Sequence, residues 1–191
     1  MKTAFVIRHS NRDSVKNPKN HAEVLLNAEG EKRAREFGKK LAQDFKIIRI
    51  YSSPIKRCIQ TGKCIQEAFD DVSDRDWSSD VCSSDLYVFG DTADLFVKFG
   101  TVGIVEMIEN GTPPPFNRKE EEGAKILLDF LRTETDKSDE ITANVFITHD
   151  ACIAPVIHCF TGEYFNKSHW IEFLGGLKIQ FGEGMLNIKR I

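Results

Sequence analysis

The sequence predicts a three-layer α/β/α sandwich built on a mostly parallel sheet, and three observations predict it. Short apolar runs at residues 3–7, 47–51 and 144–148 have the near-continuous hydrophobicity of strands buried on both faces. Segments between and after them carry apolar residues at three- and four-residue spacing, the period of an amphipathic helix. Strand and helix patterns thus alternate, which gives parallel strands with helices on both faces. At 191 residues the chain can bury such a sheet as one domain, 1–191.

The first run ends abruptly, in Phe5-Val6-Ile7-Arg8-His9-Ser10-Asn11-Arg12, where cations flank a histidine before any turn residue. Residues 12–26 are polar, with Asn17-Pro18-Lys19-Asn20 as a turn, and read as a loop. Asn27 can cap a helix whose buried stripe is Ala34, Phe37, Gly38, Leu41 and Phe45. After the second run comes Ser52-Ser53-Pro54, where Ser53 can cap and Pro54 can take the first helical position. The stripe Ile55, Cys58, Ile59, Gly62 and Ile65 then places Arg57 in the first turn.

Further helical patterns cover residues 93–99, 102–109 and 120–131, separated by Gly111-Thr112-Pro113-Pro114-Pro115 as a stiff linker. The third run ends at His149-Asp150 before a helix-like segment at 153–160. Residues 177–181 and 185–188 around Gly182-Glu183-Gly184 read as a hairpin at the sheet edge.

Composition narrows the function. Net charge is -3, which argues against a nucleic-acid footprint, and no apolar run approaches the ~20 residues of a membrane span. The first apolar segment is short and stops at Arg8, unlike a signal peptide, so a cytoplasmic protein is expected. Five cysteines without a CxxC pair suggest reduced thiols and neither a disulfide framework nor a zinc site.

Residues 76–86, Asp-Trp-Ser-Ser-Asp-Val-Cys-Ser-Ser-Asp-Leu, have neither helical nor strand periodicity. They resemble the in-frame translation of a common short-read sequencing adapter, so native residues between Asp74 and Tyr87 are expected to have been replaced. A Ser/Asp-rich surface loop is the alternative. Trp77 and Cys82 are assigned no function.

In open α/β sheets ligands bind beyond the carboxyl ends of the strands. Here those ends carry Arg8-His9, Ser52-Ser53-Pro54 leading to Arg57, and His149-Asp150. Neighbouring strands would bring two imidazoles and two guanidiniums to one crevice beside helix amides, which is an anion site. Cations around an imidazole lower its pKa, so a histidine there can attack phosphorus as the neutral base.

Together, Arg8-His9-Ser10, Ser52-Ser53-Pro54 with Arg57 and Thr61, and Thr148-His149-Asp150 resemble the histidine phosphatase superfamily, the phosphoglycerate-mutase-like fold. The resemblance implies a phosphohistidine intermediate at His9, with Arg8, Arg57 and His149 holding the phosphoryl group and neither metal nor cofactor. Branches with Arg-His-x-x-Arg and His-Asp add Arg12 to phosphate binding and make Asp150 the general acid. Other branches take the acid from the middle of the chain, where Glu106 is the candidate and residues lost at 76–86 are another.

The expected function is phosphomonoester hydrolysis on a phosphorylated small molecule or phosphoprotein. A phosphomutase and a non-catalytic phosphate-binding module are the alternatives, and the oligomeric state is left open. Asp150 can also cap the following helix. His158 is expected to pack, His21 and His169 to lie on the surface, and the charge run at 119–122 to be a solvated helix start.

Overall fold

The computed structural model describes residues 1–14, 18–76, 93–111 and 118–191. The expectation for residues 77–86 and for most of the proline linker lies outside them. The elements in chain order are β1 (Lys2–Arg8), a 3-10 turn (Pro18–Glu23), α1 (Ala28–Asp44), β2 (Ile47–Ser52), α2 (Lys56–Gln66), β3 (Asp71–Asp76), α3 (Ala93–Glu109), α4 (Glu120–Asp136), β4 (Thr142–Thr148), α5 (Asp150–Thr161), β5 (Gly176–Gly182) and β6 (Met185–Arg190).

The strand order is β3-β2-β4-β1-β5-β6. The first four are parallel, whereas β5 and β6 are added antiparallel as the expected edge hairpin, so the sheet is mixed. Period-two alternation splits its side chains between two cores. Ala4, Val6 and Phe146 face Val105 of α3, Leu127 and Leu131 of α4 and Ile153 of α5. Phe5, Ile7, Ile50, Val145 and Ile147 face Ala34 and Leu41 of α1 and Cys58 and Ile65 of α2. Isoleucines such as Ile7 and Ile50, fully buried, contribute about 1.5–3 kcal/mol each. Helices cover both faces, as the alternation of patterns predicts.

Several elements differ from expectation. Asn27 does cap α1, its side chain accepting from the Gly30 N–H at 2.9 Å. Ser53 does not cap α2, which starts at Lys56 after Ile55; the Ser53 hydroxyl lies 3.1 Å from His149 instead. Part of the polar loop winds into the 3-10 turn, with Pro18 as its first residue. The two helical patterns at 93–109 form one kinked element, in which Gly100 takes a left-handed φ of 67° that a side chain would resist.

Strand β3 was not legible. Its sequence, Asp71-Val72-Ser73-Asp74-Arg75-Asp76, lacks apolar alternation, and backbone pairing to β2 sets it at the edge. Its last residue, Asp76, pairs with Tyr51, so regular structure reaches the first residue of the adapter-like segment. Among the described residues no helix is long and apolar enough to cross a membrane.

Candidate active site

Register decides which residues can meet. Arg8 of β1 pairs with Thr148 of β4, and Ser52 of β2 pairs with Ile147, so three carboxyl ends finish at one level. The next residues, His9, Ser53 and His149, therefore leave the sheet together. His9 N–H donates to Thr148 O (3.0 Å) and Ser53 N–H to Ile147 O (3.0 Å), which extends the strand pairing to the site itself.

The two imidazoles lie with ring centroids 5.5 Å apart at 67°. His9 is 2% exposed. Its Nδ1 is 2.8 Å from the Ser10 carbonyl, which can only accept, so Nδ1 carries the hydrogen and Nε2 presents a lone pair. Arg57 Nε donates to that lone pair at 3.0 Å, while Arg57 Nη1 donates to His21 O (2.6 Å) and Nη2 to His149 Nδ1 (3.3 Å). Because Nδ1 of His149 accepts from a guanidinium, its Nε2 carries the hydrogen and donates to Ser53 Oγ at 3.1 Å.

Electrostatics follow the geometry. Burial, reinforced by His149, Arg57 and Arg8, holds the His9 pKa well below the usual imidazole range. Burial and then Arg57 depress His149 to about 3. Both rings are neutral near neutral pH, and the arginines keep their charge.

Arg8 is 9% exposed and reaches the Ile171 carbonyl through Nη1 (2.6 Å) and Asp150 Oδ2 through Nη2 (2.9 Å). Its Nε is buried without an acceptor among the described residues. Arg12 is half-buried, bridged to Leu26 and bonded through Nη1 to Asp13 O (2.8 Å), and its charge bears on both Arg8 and Arg57. The structure thus joins five of the six residues singled out in the sequence, Arg8, His9, Arg57, His149 and Asp150, through direct contacts, while Arg12 acts on Arg8 and Arg57 through its charge.

Asp150 sits at the start of α5, where Oδ1 accepts from the Ala151 N–H (3.0 Å) and Oδ2 from Trp170 Nε1 (3.1 Å). Burial alone would raise its pKa, but Arg8, Trp170, His149 and Ala151 together outweigh that and hold it below the usual carboxylate range. Glu106 is exposed on α3, and no contact among the described residues joins it to either imidazole.

The loop after His9 is held by α1 and α2. Ser10 N–H donates to Thr61 Oγ1 (3.0 Å), and Ser10 Oγ to Gly30 O (2.7 Å). A Cβ at Gly30 would sit 2.0 Å from the Asn11 carbonyl, so only glycine permits this approach. Sequence reasoning missed Ser53 as a partner of His149 and missed Trp170, Ile171 and Phe173 altogether. The visible signal was an aromatic pair just ahead of Gly175-Gly176.

The other histidines fall as expected. His158 is half-buried against Glu120, while His21 and His169 are exposed, although the His21 carbonyl holds Arg57.

Residues 4–78, the segment carrying Arg8, His9 and Arg57, match the model of the histidine phosphatase superfamily (branch 1). The part of the chain that supplies His149 lies beyond that match, and solved structures extend the likeness to it. A mycobacterial glucosyl-3-phosphoglycerate phosphatase solved with VO3 aligns with TM-score 0.63 and 14% identity, over 100% of this chain and 97% of its own. The phosphoglycerate mutase of Bacillus anthracis str. Sterne aligns with TM-score 0.60 and 16% identity, over 100% and 92%. The protein histidine phosphatase SixA, complexed with tungstate, aligns with TM-score 0.57 and 14% identity, over 98% and 94%. At these identities the likeness is one of fold. No curated protein matches the sequence.

Proposed function

We propose that this chain is a metal-independent phosphomonoester hydrolase that passes the phosphoryl group through His9. One observation carries the reading: a buried neutral imidazole presents its Nε2 lone pair to the Arg57 guanidinium, with Arg8 and a second neutral imidazole beside it. Without a ligand, Arg57 Nε occupies that lone pair. A phosphoryl group would accept from Arg57 and from the orphan Arg8 Nε–H, freeing Nε2 to attack phosphorus as the P–O bond to the leaving group breaks. Water then attacks the phosphohistidine, and the Nε2–P bond breaks to release phosphate.

Arg8, Arg12 and Arg57 supply the charge that stabilises the transferring group, the largest expected contribution to rate. His149, neutral with its hydrogen on Nε2, would turn that hydrogen from Ser53 Oγ to a phosphoryl oxygen. Asp150 remains the candidate acid. Paired with Arg8 it is a carboxylate, so it serves as the acid only once the negative charge of a bound phosphoryl group raises its pKa and it takes up the proton that it then gives to the leaving oxygen.

The substrate is a phosphorylated small molecule or phosphoprotein in the cytoplasm. A phosphomutase is the second reading, favoured by the likeness to a phosphoglycerate mutase, because it shares the first half-reaction. Phosphate release from p-nitrophenyl phosphate, with and without chelator, tests the proposal, together with trapping of a base-stable, acid-labile phosphoenzyme. Hydrolysis unaffected by chelator is expected. Tight phosphate binding without turnover would leave only a binding module, and no binding at all would overturn the reading.

A further inference from the structure

We propose that residues 170–175 form a clamp that holds the Arg8 guanidinium in its phosphate-binding pose, with Trp170 acting through Asp150 as a positioning residue. The inference rests on the reading of the site as a phosphoryl site and assigns a task to a segment outside the motifs.

The segment meets Arg8 on every side. Arg8 N–H donates to Gly175 O (2.9 Å), and Leu174 N–H donates to Arg8 O (3.2 Å). Along the side chain, Ile171 O accepts from Nη1 at 2.6 Å, and the Phe173 ring lies 4.1 Å from Cζ. The same ring stands 5.7 Å from the His9 ring. Asp150 Oδ2 accepts from Arg8 Nη2 (2.9 Å) and also from Trp170 Nε1 (3.1 Å), so the indole fixes the carboxylate that fixes the guanidinium.

Two further observations mark the segment as held. Leu174 has φ of 64°, a left-handed conformation uncommon for a branched side chain, and it lies between the ring and the backbone groups that face Arg8. Arg33 ties the segment to the loop after His9, through Nη2 to Phe173 O (3.4 Å) and Nη1 to Asn11 Oδ1 (2.8 Å).

The physical consequence is preorganisation. A free arginine loses several rotamers on binding an oxyanion, whereas one already fixed at Nη1, Nη2 and its ring face does not. Nε–H is then the buried donor left over for the ligand.

Trp170→Phe keeps an aromatic ring and removes the N–H. KM for p-nitrophenyl phosphate and Kd for inorganic phosphate should each rise by about tenfold, and kcat should fall with them, since Arg8 holds the ligand and also stabilises the transferring group. A merely structural role would lower the active fraction and leave KM and Kd in place. In an Asp150→Asn background, Trp170→Phe should change Kd no further. Phe173→Leu should raise Kd by about threefold.

A ligand-free measurement separates this proposal from the functional reading: solvent exchange of the Arg8 Nε–H, followed by 15N NMR, should quicken in Trp170→Phe. If wild type neither binds phosphate nor turns over while that exchange still quickens, the functional reading falls and the clamp stands. If wild type is active and Trp170→Phe changes neither Kd nor exchange, or costs the same with and without Asp150, the clamp is overturned.

Discussion

Two histidine clusters lie at opposite ends of α5, and their company gives them opposite characters. His149 precedes the first turn, among Arg57, Arg8 and His9, and both imidazoles there are held neutral by burial and surrounding cations. His158 occupies the last turn, where Nδ1 is 2.6 Å from Glu120 Oε1 and the Tyr164 ring lies 4.0 Å away, tilted by 46°. Nearby Glu109 is pushed up to about 7 by burial and by Glu120, so its carboxyl holds its proton where most would not. One cluster excludes protons from a base; the other retains them on an acid. Chemistry therefore follows the charge of the neighbours more than the presence of a histidine.

The sharpest way to break this comparison is to remove each member. His9→Ala should abolish turnover, by at least ~10³-fold, with the fold intact by circular dichroism. Preserved phosphate release in that variant would end the mechanism. Arg57→Lys keeps a charge but loses the fork that reaches His9, His149 and the His21 carbonyl at once, and should cost on the order of 100-fold in kcat/KM. His158→Gln, in the other cluster, should leave kcat/KM within about twofold, and a loss comparable to that of Arg57→Lys would erase the distinction.

Asp150→Asn should slow alkyl phosphates far more than aryl phosphates, whose leaving oxygen needs little protonation. Equal losses would confine Asp150 to holding Arg8.

The smallest effect is on stability, and its sign differs between clusters. His9 and His149 have folded pKa values below the unfolded one, so their contribution is complete above pH ~6.5 and is lost as pH falls below it. Glu109 has a raised folded pKa, so its contribution is complete below pH ~4.5 and is lost as pH rises through about 7. Glu109→Gln should therefore raise Tm at pH 8 by about 2 °C and leave it unchanged at pH 4.5. A Tm gain that is the same at both pH values would contradict the assignment.

The sequence revealed the site where chemistry and periodicity coincide. Arg8, His9 and His149 stand where an apolar run stops and a polar residue is forced to the strand end, and Arg57 stands in the first turn of the helix after another such end, so topology points them to one crevice. Asn27 was legible because its cap is a local bond. The adjoining helix start was misread because Ser53 has two possible partners, its own helix and His149, and only tertiary structure chooses. Strand β3 carries no pattern because an edge strand can be held by backbone pairing alone. Residues 170–175 stayed invisible for a related reason: three of their contacts to Arg8 use main-chain atoms, which leave no mark on residue type.

The pairing of Arg8 with Thr148 has a consequence for biogenesis. The two halves of the candidate site are drawn from distant stretches of polypeptide, so no early local folding unit can contain it. A nascent chain emerging from the ribosome would carry His9 exposed until β4 arrives and inserts between β1 and β2. Oxyanion affinity in a series of truncated chains should accordingly switch on in a single step, making ligand capture a built-in report that synthesis and folding are finished.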